Sequence, residues 1–293
     1  MIRRTLCALL CALSLPVFFS CDSGTGGGPD DGSSSRIIDH TDSSIDGLTD
    51  ASVNFAKETL DIVYWHTSHG SQLVTGMDGM DAFYGNSGLY TTSPAPSAGE
   101  LKLVDSYTQD LGNPGLPEFE ATTRDWLGLH PETNVVMWSW CGQVAHSDEA
   151  TIADYLARMS DLESDFPAVS FVYMTGHAFG SSWGGTRENL AARNGQIRAY
   201  CRNNGKYLYD FNDIESYDPD GTWFGDRFVT DECNYGTAED VFTGNWASEW
   251  QAANPGLWWD CESAHSLPVN ANMKARAAWH LFARIAADRA GAD

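Results

Sequence analysis

From about residue 50 onward the chain repeats one pattern, a short run of adjacent apolar residues followed by a longer stretch with helical spacing, and this alternation constrains the fold more than any other feature. Ile62-Val63-Tyr64-Trp65, Val135 to Trp140, Val169 to Met174 and Tyr207 to Phe211 read as buried strands. Between them lie helical stretches carrying Leu73, Met77, Met80 and Phe83, then Ile152, Tyr155, Leu156, Met159 and Leu162, then Leu190, Ile197 and Cys201. A last one carries Met273, Ala277, Leu281 and Ile285. Parallel strands can be joined only by a crossover, so the pattern predicts an α/β domain with a mostly parallel sheet and helices on both faces. Ser147 offers a helix cap, Pro167 stops the helix that follows it, and Gly205 suits a left-handed helix end. Pro and Gly between 85 and 117 predict a long loop, and residues 216–259 read as a Trp-rich insertion.

In an open parallel sheet the carboxyl ends of the strands share one edge, and ligands bind in the crevice there. The residues just past successive strands are His66-Thr67-Ser68-His69-Gly70-Ser71, Cys141-Gly142-Gln143 and Gly176-His177. A hydroxyl nucleophile, imidazoles and glycines with free backbone N–H groups are thereby expected at one place, which is the set that hydrolytic chemistry needs.

Acidic residues outnumber Lys and Arg 40 to 17 in the 293-residue chain, a net charge of −23. Such a surface repels phosphate backbones, so nucleic acid is excluded as a partner. Residues 1–20, with Arg3 and Arg4 ahead of an apolar run from Leu6 to Phe19, read as an export signal. Val17-Phe18-Phe19-Ser20-Cys21 resembles a bacterial lipobox, which implies a diacylated Cys21 and a cell-envelope lipoprotein attached to the membrane by that lipid. A flexible Gly/Ser/Asp-rich linker follows, so that residues 21–50 form the tether and 51–293 the domain. Cys141, Cys201, Cys233 and Cys261 are an even set, and in an oxidising compartment they predict two disulfides, with Cys233–Cys261 favoured among the three possible pairings.

Ser68 after the first strand, Gly142 after the second, Gly176 after the third and Glu262-Ser263-Ala264-His265 before the last helix together resemble the SGNH (GDSL-like) hydrolases. The resemblance covers most of residues 58 to 288 and implies a flavodoxin-like three-layer α/β/α sandwich. It further implies Ser68 as nucleophile, His265 as base, and oxyanion donors at Ser68, Gly142 and, where the family has Asn, His177. His-Thr-Ser replaces the family's Gly-Asp-Ser. Glu262 stands at the family's Asp position, with Asp260 as the other candidate for orienting His265.

The chemistry matches those residue types. A serine hydroxyl attacks a carbonyl only while a base removes its proton, a carboxylate fixes the base's tautomer, and N–H donors stabilise the oxyanion. The reading is a serine-dependent carboxylic ester hydrolase with no cofactor, acting as an acetylesterase on a polysaccharide. His69, Trp223, Trp246 and Trp258 are the expected substrate contacts, because flat aromatic faces suit sugar rings. Other readings stand beside it: a catalytically impaired glycan-binding lipoprotein, a metal-dependent hydrolase using His66, His69 and His177, and a Gly-x-Ser-x-Gly elbow centred on Ser182. Asp218-Pro219-Asp220-Gly221 resembles the start of a calcium loop as well as a plain turn.

Overall fold

The computed structural model describes residues 36–291 except Pro114 and 181–183, all within one compact unit. The stretch read as an export signal, Cys21 and Ser182 lie outside the described residues. In chain order the elements are β1 (Ile37–Ile38), α1 (Asp50–Thr59), β2 (Asp61–Trp65), α2 (Ser68–Asp78), α3 (Met80–Phe83), β3 (Thr92–Ser93), β4 (Leu101–Ser106), α4 (Leu116–Leu129), β5 (Val135–Trp138), α5 (Glu149–Asp165), β6 (Ser170–Met174), α6 (Arg187–Asn204), β7 (Tyr207–Tyr209), α7 (Phe211–Ile214), β8 (Asn234–Ala238), β9 (Val241–Asn245), α8 (Trp246–Ala253) and α9 (Pro268–Arg289).

Among the described residues, seven strands form one sheet in the order β1-β7-β6-β5-β2-β4-β3, with every pairing parallel. The inner five, taken as they occur in the chain, run 2-1-3-4-5, which is the flavodoxin-like order. Helices α1, α2 and α9 pack together as one layer, and α4, α5 and α6 pack in succession as the other. The expected α/β/α architecture is therefore present.

The sheet is buried on both faces, so its strands read as unbroken apolar runs rather than as alternation. On β2 successive side chains still serve opposite layers. Trp65 stacks on Trp138 of β5 with ring centroids 4.5 Å apart, and Trp138 donates to Thr123 of α4. The Tyr64 hydroxyl donates instead to the Gly70 carbonyl of α2. The long, mostly buried α9 opens with Pro268 at its first position, where the missing N–H costs nothing. Its Ala271 and Ala275 let α2 approach so closely that a Cβ on Gly76 would sit 2.2 Å from the Ala271 carbonyl oxygen.

Three sequence expectations change. The stretch from 85 to 117 is not one loop, because β3 and β4 lie within it. Leu101-Lys102-Leu103-Val104 alternates buried and half-buried positions, Asp105 is exposed, and only one more short strand lies outside, so the stretch lacks the apolar run of a central strand. The folded unit also reaches back into the stretch read as linker: β1 pairs with β7, and Asp39 caps a short 3₁₀ turn at His40–Asp42. The cap of α5 is Asp148, which accepts from the Thr151 N–H, rather than Ser147. Thr186 caps α6, and Gly205 ends it in the left-handed conformation as expected.

Gly76→Ala is expected to lower the unfolding free energy by about 2–3 kcal/mol in urea denaturation, since a methyl group facing a backbone carbonyl cannot be accommodated by a rotamer change.

Candidate functional site

β2 ends at Trp65, and α2 begins three residues later, with Thr67 extended at its N-cap and Ser68 as the first helical residue. The turn is tight because the third helical residue is glycine. A Cβ on Gly70 would lie 2.2 Å from Ser139 Oγ and 2.4 Å from His66 Cβ. Ser68 is thus half-buried above the carboxyl end of a central strand. Its N–H is one of those left without an intrahelical acceptor at a helix start, where the helix dipole favours developing negative charge. Ser71 serves the backbone, its hydroxyl donating to the Ser68 carbonyl at 2.7 Å.

A hydrogen-bonded strap fixes the neighbouring loops. Thr67 Oγ1 donates to Asp110 Oδ2 at 2.7 Å, Gln143 Nε2 donates to Asp110 Oδ1 at 2.9 Å, and the Cys141 N–H donates to Gln143 Oε1 at 2.9 Å. It ties together the exits of β2, β4 and β5 and holds Gly142 next to the Ser68 loop. Gly142 opens a 3₁₀ turn, so its N–H too has no acceptor within that turn. Asp110 escaped the sequence reading because it lies in the stretch taken for loop.

His265 comes from the other end of the chain and meets Ser68: His265 Nε2 and Ser68 Oγ are hydrogen-bonded at 2.9 Å. His265 has φ +63°, a conformation few non-glycine residues adopt, within a turn closed by the Ser266 N–H on the Ser263 carbonyl. Gln72 of α2 holds the same turn by donating to the Ala264 carbonyl.

Three imidazoles lie face to face. His177 stacks on His69 with centroids 3.6 Å apart and planes 5° from parallel, and His69 stacks on His265 at 4.3 Å and 14°. Their bonds fix the tautomers of the inner two. His69 Nε2 donates to Asp231 Oδ2 at 3.0 Å, which leaves Nδ1 as an acceptor 3.4 Å from Cys141 Sγ. Burial pushes the His69 imidazole down to about 3 despite the opposing pull of Asp231, so the ring is neutral at ordinary pH. His177 Nδ1 donates to the Ala178 carbonyl at 2.6 Å, and burial lowers this imidazole too. A neutral His177 presents an acceptor at Nε2, so it does not supply the oxyanion donor expected of it. His69 is fully buried and does not line a substrate surface.

Under these loops sits a fully buried ion pair. Lys274 Nζ of α9 lies 2.7 Å from Glu215 Oε2, bonds Gln72 Oε1 and rests 3.8 Å over the Phe211 ring. Glu215 Oε1 accepts from the Ala178 N–H. Burial lowers the Lys274 ammonium, opposed by Glu215. The pair links the His177 loop, through Glu215, Lys274 and Gln72, to the turn carrying His265.

Other expected residues fall elsewhere. Among the described residues neither Glu262 nor Asp260 is hydrogen-bonded or ion-paired with His265, and both are exposed. Trp246 is 1% exposed and lies beside Phe224 within the hydrophobic core, so it cannot face a ligand. Trp258 is half-buried, with Nε1 bonded to the Gln251 carbonyl, while Trp223 is 51% exposed. Tyr107, 60% exposed at the end of β4, sets its edge against His66 and is an aromatic candidate that sequence reasoning missed.

The expected disulfides are absent among the described residues, where all four cysteines are free. Cys233 Sγ lies 3.0 Å from Ser266 Oγ, Cys261 Sγ accepts from Asn272 Nδ2, Cys201 is buried on α6, and Cys141 stands in the site. His66 has both ring nitrogens engaged, by Asp105 and the Thr67 carbonyl, and so does not join His69 and His177 around an ion. Ligand atoms of His69, Cys141 and His177 lie within 4.8 Å of one another. A metal bond lies in the plane of an imidazole, however, and planes nearly parallel with centroids 3.6 Å apart do not meet at a common ion. Asp218 accepts from the Asp220 and Thr222 N–H groups, and Asp220 from Trp250 Nε1. Those bonds are the work of a turn and leave the calcium reading without support.

No family model matches the chain, and no curated protein matches it. Among solved structures, a crystal structure from Bacteroides fragilis described as "a putative acylhydrolase" matches at 11% identity over 67% of this chain and 83% of that one, with a TM-score of 0.37. So remote a likeness carries no function across.

Two outcomes follow from the buried groups. Because the folded state holds His69 neutral while the unfolded chain takes up a proton below about pH 6.5, stability is complete above that pH and falls as pH drops toward 3. Replacing His69 with Phe is expected to shrink the stability difference between pH 7 and pH 4 by about 3 kcal/mol in urea titrations. Lys274→Met, which strands the Glu215 carboxylate, is expected to cost about 3–5 kcal/mol, and adding Glu215→Gln should recover part of it.

Proposed function

We propose that this protein is a serine-dependent carboxylic ester hydrolase of the SGNH type. The observation that carries the reading is the hydrogen bond from Ser68 Oγ to His265 Nε2 at 2.9 Å, at the start of a helix on the carboxyl edge of a parallel sheet. His265 takes the hydroxyl proton as Ser68 Oγ bonds the acyl carbon, then returns it to the departing alcohol oxygen. Water repeats the sequence on the acyl-enzyme and restores Ser68. The N–H groups of Ser68 and Gly142 receive the oxyanion. Losing one donor of this kind costs about 3 kcal/mol in other enzymes.

The acyl group is acetyl. What favours it is a small pocket lined by Cys141, Gly142, Val144, His177 and Ala178, which suits a short acyl group better than a long one. The alcohol is a polysaccharide hydroxyl. Tyr107 and Trp223 favour a sugar, because an exposed aromatic face stacks on the apolar side of a pyranose. The expected setting is the cell envelope, with the chain held by a lipid on Cys21. Among the described residues no helix is long and apolar enough to cross a membrane.

The full chain is expected to hydrolyse p-nitrophenyl acetate at least ~10-fold faster than the butyrate ester, a methylene-scale discrimination. Ser68→Ala should lower kcat by roughly 10³-fold or more. Abolition by Ser182→Ala with Ser68→Ala still active would move the nucleophile to the elbow, and loss on treatment with EDTA would make the reaction metal-dependent. No hydrolysis together with glycan binding would mark a binding protein instead.

A further inference from the structure

A serine hydrolase must hold the plane of its base, and the common device is a carboxylate on the imidazole's far nitrogen. Here His265 lies against another imidazole. We infer that the Asp231–His69 pair is the positioning unit of this site, holding His265 to Ser68 by ring stacking. The inference rests on reading Ser68 and His265 as nucleophile and base.

Geometry is the first support. The lone pair on His265 Nε2 lies in the ring plane, so the 2.9 Å bond to Ser68 survives only while that plane keeps its direction. A parallel ring at 4.3 Å and 14° opposes tilting of His265 out of that plane. His69 can do this because it is itself held. Asp231 and Cys141 meet its two ring nitrogens, His177 and His265 cover its two faces, and it has no exposed surface. Turning it would break both in-plane contacts at once.

Charge is the second. During attack His265 acquires the proton of Ser68 and becomes an imidazolium. A neutral aromatic face attracts a cation, whereas a protonated His69 would repel it. The Asp231 carboxylate, on a nitrogen at the edge of the same ring, adds negative charge beside that face. His69 also follows Ser68 directly in α2, so nucleophile and support ride on one turn of helix and keep their spacing.

The test uses the full chain with p-nitrophenyl acetate and, separately, histidine-labelled NMR of the His265 ring, assigned with His265→Gln. In the unaltered protein the His265 ring protons are expected upfield of free histidine, as a stacked neighbour requires. His69→Leu, which fills the space without a flat face, is expected to lower kcat by ~100-fold with KM within about threefold, the scale of a misplaced catalytic group. It should also return the His265 signals toward free-histidine positions. His69→Phe, which restores the face, should recover kcat to within ~10-fold of the unaltered protein. An unshifted His265 ring in the unaltered chain, which needs no variant to fold, overturns the inference. So does unchanged kcat in His69→Leu, or an equal loss from Glu262→Gln or Asp260→Asn. A chain that hydrolyses no ester sinks the proposed function alone, and the NMR result then still decides the positioning.

Discussion

An ammonium group with no water around it must be met by a carboxylate and further acceptors, and that demand on Lys274 organises the working end of this protein. Glu215 answers it from beyond β7, Gln72 from α2, and the Phe211 ring covers the remaining side. Each partner is in turn bonded to a loop that matters: Glu215 to the Ala178 N–H beside His177, Gln72 to the Ala264 carbonyl beside His265. Such a pair adds little net stability over an apolar core of the same volume, because desolvation offsets most of the attraction. Its value is geometric, since satisfying the charge requires three segments, α2, α9 and the stretch from Phe211 to Glu215, to take one relative position.

Sheet order supplies the other half of the arrangement. From β2 the chain goes to β4 on one side and then crosses to β5 on the other, so a crevice opens at the carboxyl ends of β2 and β5. Ser68 stands at one lip and Cys141-Gly142 at the other, and the strap through Thr67, Asp110 and Gln143 keeps the lips at fixed separation. The last helix packs on α2, closely enough to require Gly76, and so delivers the turn before Pro268 to the same place. Residues 197 positions apart meet because both are anchored to α2.

The site also shows how burial sets chemistry. Its imidazoles are not equivalent: desolvation holds His69 and His177 neutral, and their backbone and carboxylate bonds choose which nitrogen carries the proton. His265 is exposed, with its Nε2 facing Ser68. A chain so rich in acids thus sets neutral rings against His265, with the Asp231 carboxylate at the edge of the nearest one.

Much of this was legible in the chain itself. The apolar runs at β2, β5, β6 and β7 and the helical spacing between them determine a parallel α/β sheet, because burial on both faces and obligatory crossovers leave few other solutions. Ser68, Gly142 and His177 could be gathered at one edge for the same reason. Folding alone decided what depends on distance between segments remote in sequence. It placed Asp231 on His69, detached Glu262 and Asp260 from hydrogen bonding with His265, left the cysteines apart, buried Trp246 and turned Lys274 inward. Periodicity records which way a side chain faces along its own element. Which partner it meets there is set by packing between elements, and a linear pattern carries no measure of that.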